Sequence, residues 1–384
     1  MAIASVAFGI TALLLAGGFI EYIYWAMREG TIRSQLGHIQ IARSGYHDAG
    51  RADPYAYLLP DAVPAAVATA PHVRAVAPRL SFGGLVSSGE STVSFVADGV
   101  DPTPEAAFGP AFQITSGHNL AAAEPLGIVM GEGLARNLGV ELGAKVVLLA
   151  TTAKGTTNAV EVTVRGLFAT ATKAYDDSAL RLPLVTAQRL LRSRGAHLWV
   201  VLLDDTEDTE STLAALRAGL PARDFELVPW YVLADYYNKT RDLFGKQVDG
   251  VKLIIAVIIV LSISNSMMMS VMERTGEIGT ALALGVRRAG ILRLFLGEGL
   301  LLGLLGALLG LLVGGTLALI LSAVGIPMPP PPGLAHGYDA QIFLTWRNAL
   351  DAFALALATS LIASVYPAWG ASRRNIVDAL RHNR

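Results

Sequence analysis

The chain has 384 residues, 53% of them apolar and only 16% charged, with a formal net charge of −1. That balance offers no basic face for nucleic acid, and without a single cysteine there is neither a disulfide nor a thiolate metal site. The apolar excess is uneven: it sits in residues 1–25 and in the last third, whereas 26–249 read like a water-soluble domain.

A membrane helix needs about 20 mostly apolar residues. The first such run, Ile3 to Trp25, ends in Tyr22, Tyr24 and Trp25, suited to an interfacial aromatic belt, with Glu21 beside them. It has no basic leader and no small-x-small cleavage site, so it reads as a retained anchor within residues 1–25.

Residues 26–249 alternate short apolar runs with turn signals. Strands are predicted at His38–Ala42, Val93–Ala97, Lys145–Ala150, Val160–Val164 and Leu198–Leu203, and helices at Asp61–Thr69, Gly131–Leu142 and Thr209–Ala218. This is an α+β domain. His38, His47, His72, His118 and His197 are scattered without metal-site spacing and read as surface or loop histidines. Asp204, Asp205, Glu207, Asp208 and Glu210 lack EF-hand spacing and read as a solvated loop entering a helix, and Asp176–Asp177 has no partner that would make it an acid–base pair. No catalytic, cofactor or metal residues are assigned, and no G-x-x-x-x-G-K-[ST] phosphate loop occurs.

Three further spans follow, at 250–272, 291–324 and 349–369. The third is longer than about 45 Å at 1.5 Å per residue, so it tilts or projects. Its Gly299, Gly303, Gly306, Gly310 and Gly314 form a small-residue packing face. Glu298, a carboxylate two turns into that span, needs water or a partner such as Arg293 or Ser262–Ser266. The 325–348 loop opens on Pro327 and Pro329–Pro332, a stiff spacer.

Arginine placement sets the orientation. Arg274, Arg287, Arg288 and Arg293 flank the loop at 273–290 and Arg373, Arg374, Arg381 and Arg384 fill the tail at 370–384, while the 325–348 connection offers only Arg347. Loop and tail are therefore cytoplasmic and residues 26–249 lie outside. The sequence thus predicts a membrane α-helical protein of four transmembrane helices, with a large α+β extracytoplasmic domain inserted between helices 1 and 2.

The loop itself, Glu273–Gly285 (ERTGEIGTALALG), carries both signs of charge between two spans. Preceded by SISNSMMMSVM and followed by FLGEGLLLGLLGALLG, it resembles the MacB/FtsX-type permeases of ABC transporters, as do Gly127–Gly143 and the closing Tyr366–Arg381. The resemblance implies a coupling helix built on Glu273, Arg274, Glu277, Ile278, Gly279, Leu282, Leu284 and Gly285, seated in a separate ABC ATPase that binds ATP and Mg; this chain would be no enzyme and would hold no cofactor. It also implies a second permease copy or paralogue, contact with membrane lipid, a place in the bacterial inner membrane with the large domain facing the periplasm, and mechanotransmission rather than a central pore. Gly37–Tyr46 is similar to the opening of the outer domain in LolC/LolE-like, lipoprotein-releasing members, which favours lipoprotein or lipid extraction, with lipoprotein cargo and a periplasmic partner. MacB-like export of peptides or drugs and a motor-free sensor or scaffold are the alternatives. That family carries a basic amphipathic helix before its first span; here the apolar run already starts at Ile3, so either the chain continues upstream or this member lacks that helix.

Overall fold

The computed structural model describes residues 2–50, 54–111, 113–170, 173–328 and 338–373. Pro329–Pro332 and the tail arginines Arg374, Arg381 and Arg384 lie outside the described residues. Two compact units result: a helical one from residues 1–25, 239–328 and 339 onward, and one built on Ala26–Asn238.

Helix α1 (Ala2–Thr31) starts in the first unit and ends in the second, where a single π-helical turn, Ile32–Leu36, follows it. The inserted domain then contains β1 (Ile39–Arg43), β2 (Val73–Ser88), β3 (Ser91–Val100), β4 (Gln113–Gly117), β5 (Gly127–Gly131), α2 (Glu132–Leu138), β6 (Lys145–Thr151), β7 (Thr157–Ala169), β8 (Ala179–Pro183), α3 (Leu184–Leu191), β9 (Leu198–Leu203), α4 (Thr209–Gly219) and β10 (Phe225–Pro229).

The long strand β2 joins an open part and a closed part of one ten-stranded sheet. Its first half, Val73–Arg79, pairs with β9 and continues the order β10-β1-β9-β2. Its second half pairs with β3 on one edge and, through Leu85–Ser87, with β6 on the other. From β3 the hydrogen bonds run through β8, β5, β7 and β6 back to β2, which closes a six-stranded ring, with β4 added outside β7. A ring this small has room only for side chains. Alternate residues fill it: Leu80, Val86, Phe95, Ala97, Ile128, Met130, Val146, Leu148, Val162, Val164, Leu180 and Leu182, plugged by Leu134 of α2 and Leu190 of α3. At Gly84 the strands approach so closely that a Cβ would overlap the Leu149 carbonyl oxygen and the Phe95 ring. The open sheet buries Ile39, Ile41, Trp199, Val201 and Leu203 under α4, and Ala77, Val200 and Leu202 on its other face under Ile32, Phe108 and Trp230.

All five predicted strands form, within about one residue at their ends or extended. The helix expected at 61–69 shrinks to Ala65–Ala68, because Pro64 sits extended at φ −57, ψ 141 and a proline disfavours helix in the residue before it. The one expected at 131–142 ends at Leu138, since Gly139 turns left-handed at φ 72. The acidic run behaves as read, with Asp205 capping the turn that leads into α4.

Two histidines expected at the surface are buried, His38 and His197, each 1% exposed. The Leu203 N–H donates to His38 Nδ1 (3.0 Å), so Nε2 carries the proton and donates to Thr206 Oγ1 (3.0 Å). The Thr206 hydroxyl in turn donates to the Glu29 carboxylate (2.7 Å). A second anchor lies deeper. Arg181 Nη2 donates to the Ser34 carbonyl (2.9 Å) and Arg79 to the Gln35 carbonyl, which satisfies a helix end that has no intrahelical partners. Glu105 sits between the two guanidiniums at 2.7 Å from each. Burial opposes the charge on Arg181, but Glu105, with Tyr175 and Asp98, holds it above the usual range. Burial, with Asp98 beside it, pushes the Tyr175 hydroxyl up to about 12.

In the helical unit, α5 (Asp235–Glu273) begins well before the apolar run at 250, so residues 239–249, which the sequence assigned to the outer domain, group with the helices. After it come α6 (Thr275–Ala283), α7 (Arg288–Val324), the short pair β11 (Ile326–Met328) and β12 (Tyr338–Ala340), and α8 (Trp346–Ser372). Helices α1, α5, α7 and α8 are long and apolar enough to cross a membrane. Their shared core is narrow: Val6 and Ile10 of α1, Ile259, Ile263 and Met267 of α5, Phe295 and Ala307 of α7, Ala356 and Ala363 of α8. Leu253, Ile254, Leu305, Leu312 and Ile362 point outward, exposed, as a lipid-facing surface requires.

His38 gives a pH signature. Burial lowers its pKa to about 4, against 6.5 when unfolded, so the fold favours the neutral ring. Stability is complete above pH 6.5 and is lost as pH falls through that value towards 4, by on the order of 3 kcal/mol. Chemical unfolding between pH 7 and 4 should show this slope, and His38→Gln should flatten it.

Candidate functional site

The stretch between α5 and α7 is held by local chemistry. The Thr275 hydroxyl donates back to the Val271 and Met272 carbonyls (2.8 and 2.9 Å), satisfying the end of α5, and Arg274 breaks the helix at φ −96, ψ 13. At the other end Gly285 turns left-handed (φ 92), letting its N–H reach Leu282 O (3.1 Å) and the Val286 N–H reach Ala281 O (3.0 Å). That pair of hydrogen bonds is the glycine-terminated helix end, and it aims the chain into α7.

Between these ends α6 is two-faced. Thr275, Ile278 and Gly279 are buried, and Ile278, with Ala281 and Leu282 beside it, packs on the core that contains Val271, Ile291 and Phe295. Glu273, Arg274, Glu277, Thr280, Ala283, Leu284 and Gly285 are exposed, and so are Val286, Arg287 and Arg288. The residues read from the sequence as one coupling set therefore divide. Ile278, Gly279 and Leu282 attach the segment to the bundle, and Glu273, Arg274, Glu277, Leu284 and Gly285 face outward. Leu284, 82% exposed, is an apolar knob among charges. Thr275, which the sequence reading omitted, is the residue that seats the segment; its place one turn past the apolar run was the available signal.

Glu298 pairs with neither Arg293 nor the Ser262–Ser266 stretch. Arg274 Nη1 lies 3.5 Å from its Oε2, while Arg274 Nε lies 3.3 Å from Glu277.

The glycines of α7 also divide. A Cβ on Gly299 or Gly303 would overlap Ser364 or Ser360 of α8. A Cβ on Gly306, Gly310 or Gly314 would press on Val6, on Ala7 and Ile10, or on Thr11 and Leu14, all of α1. Thr11 Oγ1 donates to the Gly310 carbonyl across that contact (3.1 Å). One helix thus lets two others approach at backbone distance.

Among the described residues no group of three or more His, Cys, Asp or Glu is placed to hold a metal. Asp176 accepts the Thr170 N–H and hydroxyl (3.0 and 2.8 Å), a structural role, and burial raises its pKa.

Residues 1–218 match the family described as MacB-like periplasmic core domain, and residues 251–376 match the FtsX-like permease C-terminal. The lipoprotein-releasing system transmembrane protein LolC of Xylella fastidiosa is 26% identical over 338 residues, covering 82% of this chain and 79% of that one. LolE of Haemophilus influenzae is 27% identical over 79% of this chain and 76% of its own. The macrolide export ATP-binding/permease protein MacB of Hyphomonas neptunium is 31% identical over 53% of this chain, which spans only 30% of that protein.

The glycine contacts predict a sharp contrast. Gly310→Val should lower the thermal midpoint of the purified protein by the equivalent of about 1–3 kcal/mol through overpacking against α1, whereas Gly315→Val, with nothing within 4 Å, should leave it unchanged.

Proposed function

The chain belongs to the ABC-transporter permease family that joins a MacB-like periplasmic core domain to an FtsX-like C-terminal region, and on that premise we propose that it is the membrane subunit through which a separate ATPase drives lipoprotein release. The exposed side of α6 and its two flanks carries this reading. It offers carboxylates at Glu273 and Glu277, an apolar knob at Leu284 and cations at Arg287 and Arg288, a mixed surface suited to a cleft on a soluble partner. ATP and Mg belong to that partner. In this arrangement α6 lies on the cytoplasmic side of the bacterial inner membrane and the inserted domain in the periplasm, and a second permease copy or paralogue completes the transporter.

Lipoprotein extraction is favoured over drug or peptide export because LolC and LolE align along both units of the chain, 82% and 79% of its length, whereas the MacB alignment covers 53%. The cargo would be an acylated protein taken from the outer leaflet, met by the inserted domain. Force would reach that domain through α1 and α5, the two helices that continue into its chain.

Two measurements test this. Leu284→Asp and Glu277→Lys should each cut recovery of the ATPase with affinity-purified chain at least about tenfold, a loss of some 1.4 kcal/mol or more, while the protein stays inserted; undiminished recovery from both contradicts the docking role. Depleting the chain from its native cell should leave triacylated lipoproteins in the inner-membrane fraction, and an unchanged distribution contradicts the cargo.

A further inference from the structure

We propose that Arg274 and Glu298 are positioning residues: a charged strut that makes the docking helix α6 and the third span α7 move as one body. The inference rests on the docking role of α6 proposed above and adds how a push on α6 reaches the membrane.

Helix α6 is joined to its neighbours by two breaks in the helical backbone, Arg274 at φ −96, ψ 13 and Gly285 at φ 92. No continuous helix carries force across either joint, so side chains have to do it. Ile278, Ala281 and Leu282 supply an apolar contact, which is non-directional. The strut adds a directional one: a single guanidinium reaches Glu277 on α6 (3.3 Å) and Glu298 on α7 (3.5 Å).

The choice of partner is informative. A carboxylate inside an apolar span is tolerated only when paired or wet, and the arginine on its own helix, Arg293, is not placed to serve. Arg293 lies five residues back, about 140° around the helix at 100° per residue, and the pairing goes to the docking segment instead. The side chains of Arg274 and Glu298 are 49% and 36% exposed, and ion pairs this accessible contribute little to stability. Their value is geometric. Gly299, the next residue after Glu298, is where α7 meets Ser364 of α8 and Met267 of α5, so a displacement of Glu298 arrives at a contact too close to admit a Cβ. Glu277, with 76% of its side chain exposed, is the end of the strut a partner can touch.

The chain has no cysteine, so spin labels at Thr280→Cys on α6 and Leu305→Cys on α7 go in specifically, and dilution with unlabelled chain leaves the one distance within a chain. It should be measured by pulsed electron resonance in the chain copurified with its ATPase in nanodiscs, with ATP and vanadate. The native distance distribution should stay narrow. Glu298→Gln and Arg274→Gln should each broaden it at least about twofold, and the exchanged pair Arg274→Glu with Glu298→Arg should recover most of the native width. A Glu298→Gln distribution as narrow as native, with only a lower thermal midpoint, overturns the strut, and so does an exchanged pair no narrower than the single variants. Recovery of ATPase is read from the same samples: none with the native chain contradicts the docking role itself, whereas normal recovery with unchanged width contradicts the strut alone.

Discussion

Lipid gives helices no hydrophobic reason to associate, so the bundle has to be held by how closely backbones can come. Helix α7 solves this with glycines placed against two different neighbours, α8 through Gly299 and Gly303 and α1 through Gly306, Gly310 and Gly314. The serines and the threonine at these contacts have their hydroxyls bonded to carbonyls, Ser360 and Ser364 within α8 and Thr11 to α7, so none of these three hydroxyls is left bare where the helices meet. Because both contacts run along one helix, a shift of α7 is felt by α1 and α8 together. Where α6 attaches to α7 therefore matters more than its own small size suggests.

The inserted domain meets the opposite problem, a helix end that must be gripped in a water-exposed protein. The carbonyls of Ser34 and Gln35 close the π-helical turn after α1, and two buried arginines take them, with Glu105 balancing the charge. Glu29, Thr206 and His38 hold the same helical stretch from another side. Arginine suits this because its planar fork serves a carboxylate and a carbonyl at once. The result ties the α1 extension to the domain core through buried, charge-assisted hydrogen bonds.

Much of this was legible in the sequence because it depends on local pattern. Apolar runs of membrane length, Arg-rich loops, a glycine every three or four residues and β-branched runs at Val160–Val164 or Leu198–Leu203 need no knowledge of the fold. What stayed hidden depends on partners far along the chain. The closed ring rests on pairings such as β2 with β6 and β3 with β8, and β2 itself, broken by Pro78, Gly83 and Gly84, carries little strand signal. His38 and His197 looked ordinary because their burial is set by Thr206 and Ser81, and Arg79, Arg181 and Glu105 lie too far apart in sequence to suggest a cluster. The segment at 273–285 lies between two apolar helices as the sequence pattern suggests, but its division into buried and exposed faces needed the packing of Ile278 on Ile291 and Phe295.

The proposed role requires that α6 and Leu284, just past its end, face a nucleotide-hydrolysing protein. The most direct measurement is photocrosslinking in native membranes from a benzoylphenylalanine placed at Leu284 and, separately, at Ile278. Crosslinks from position 284 to an ATP-binding protein, with none from 278, are predicted. Crosslinks from 284 only to lipid or to periplasmic proteins would contradict it.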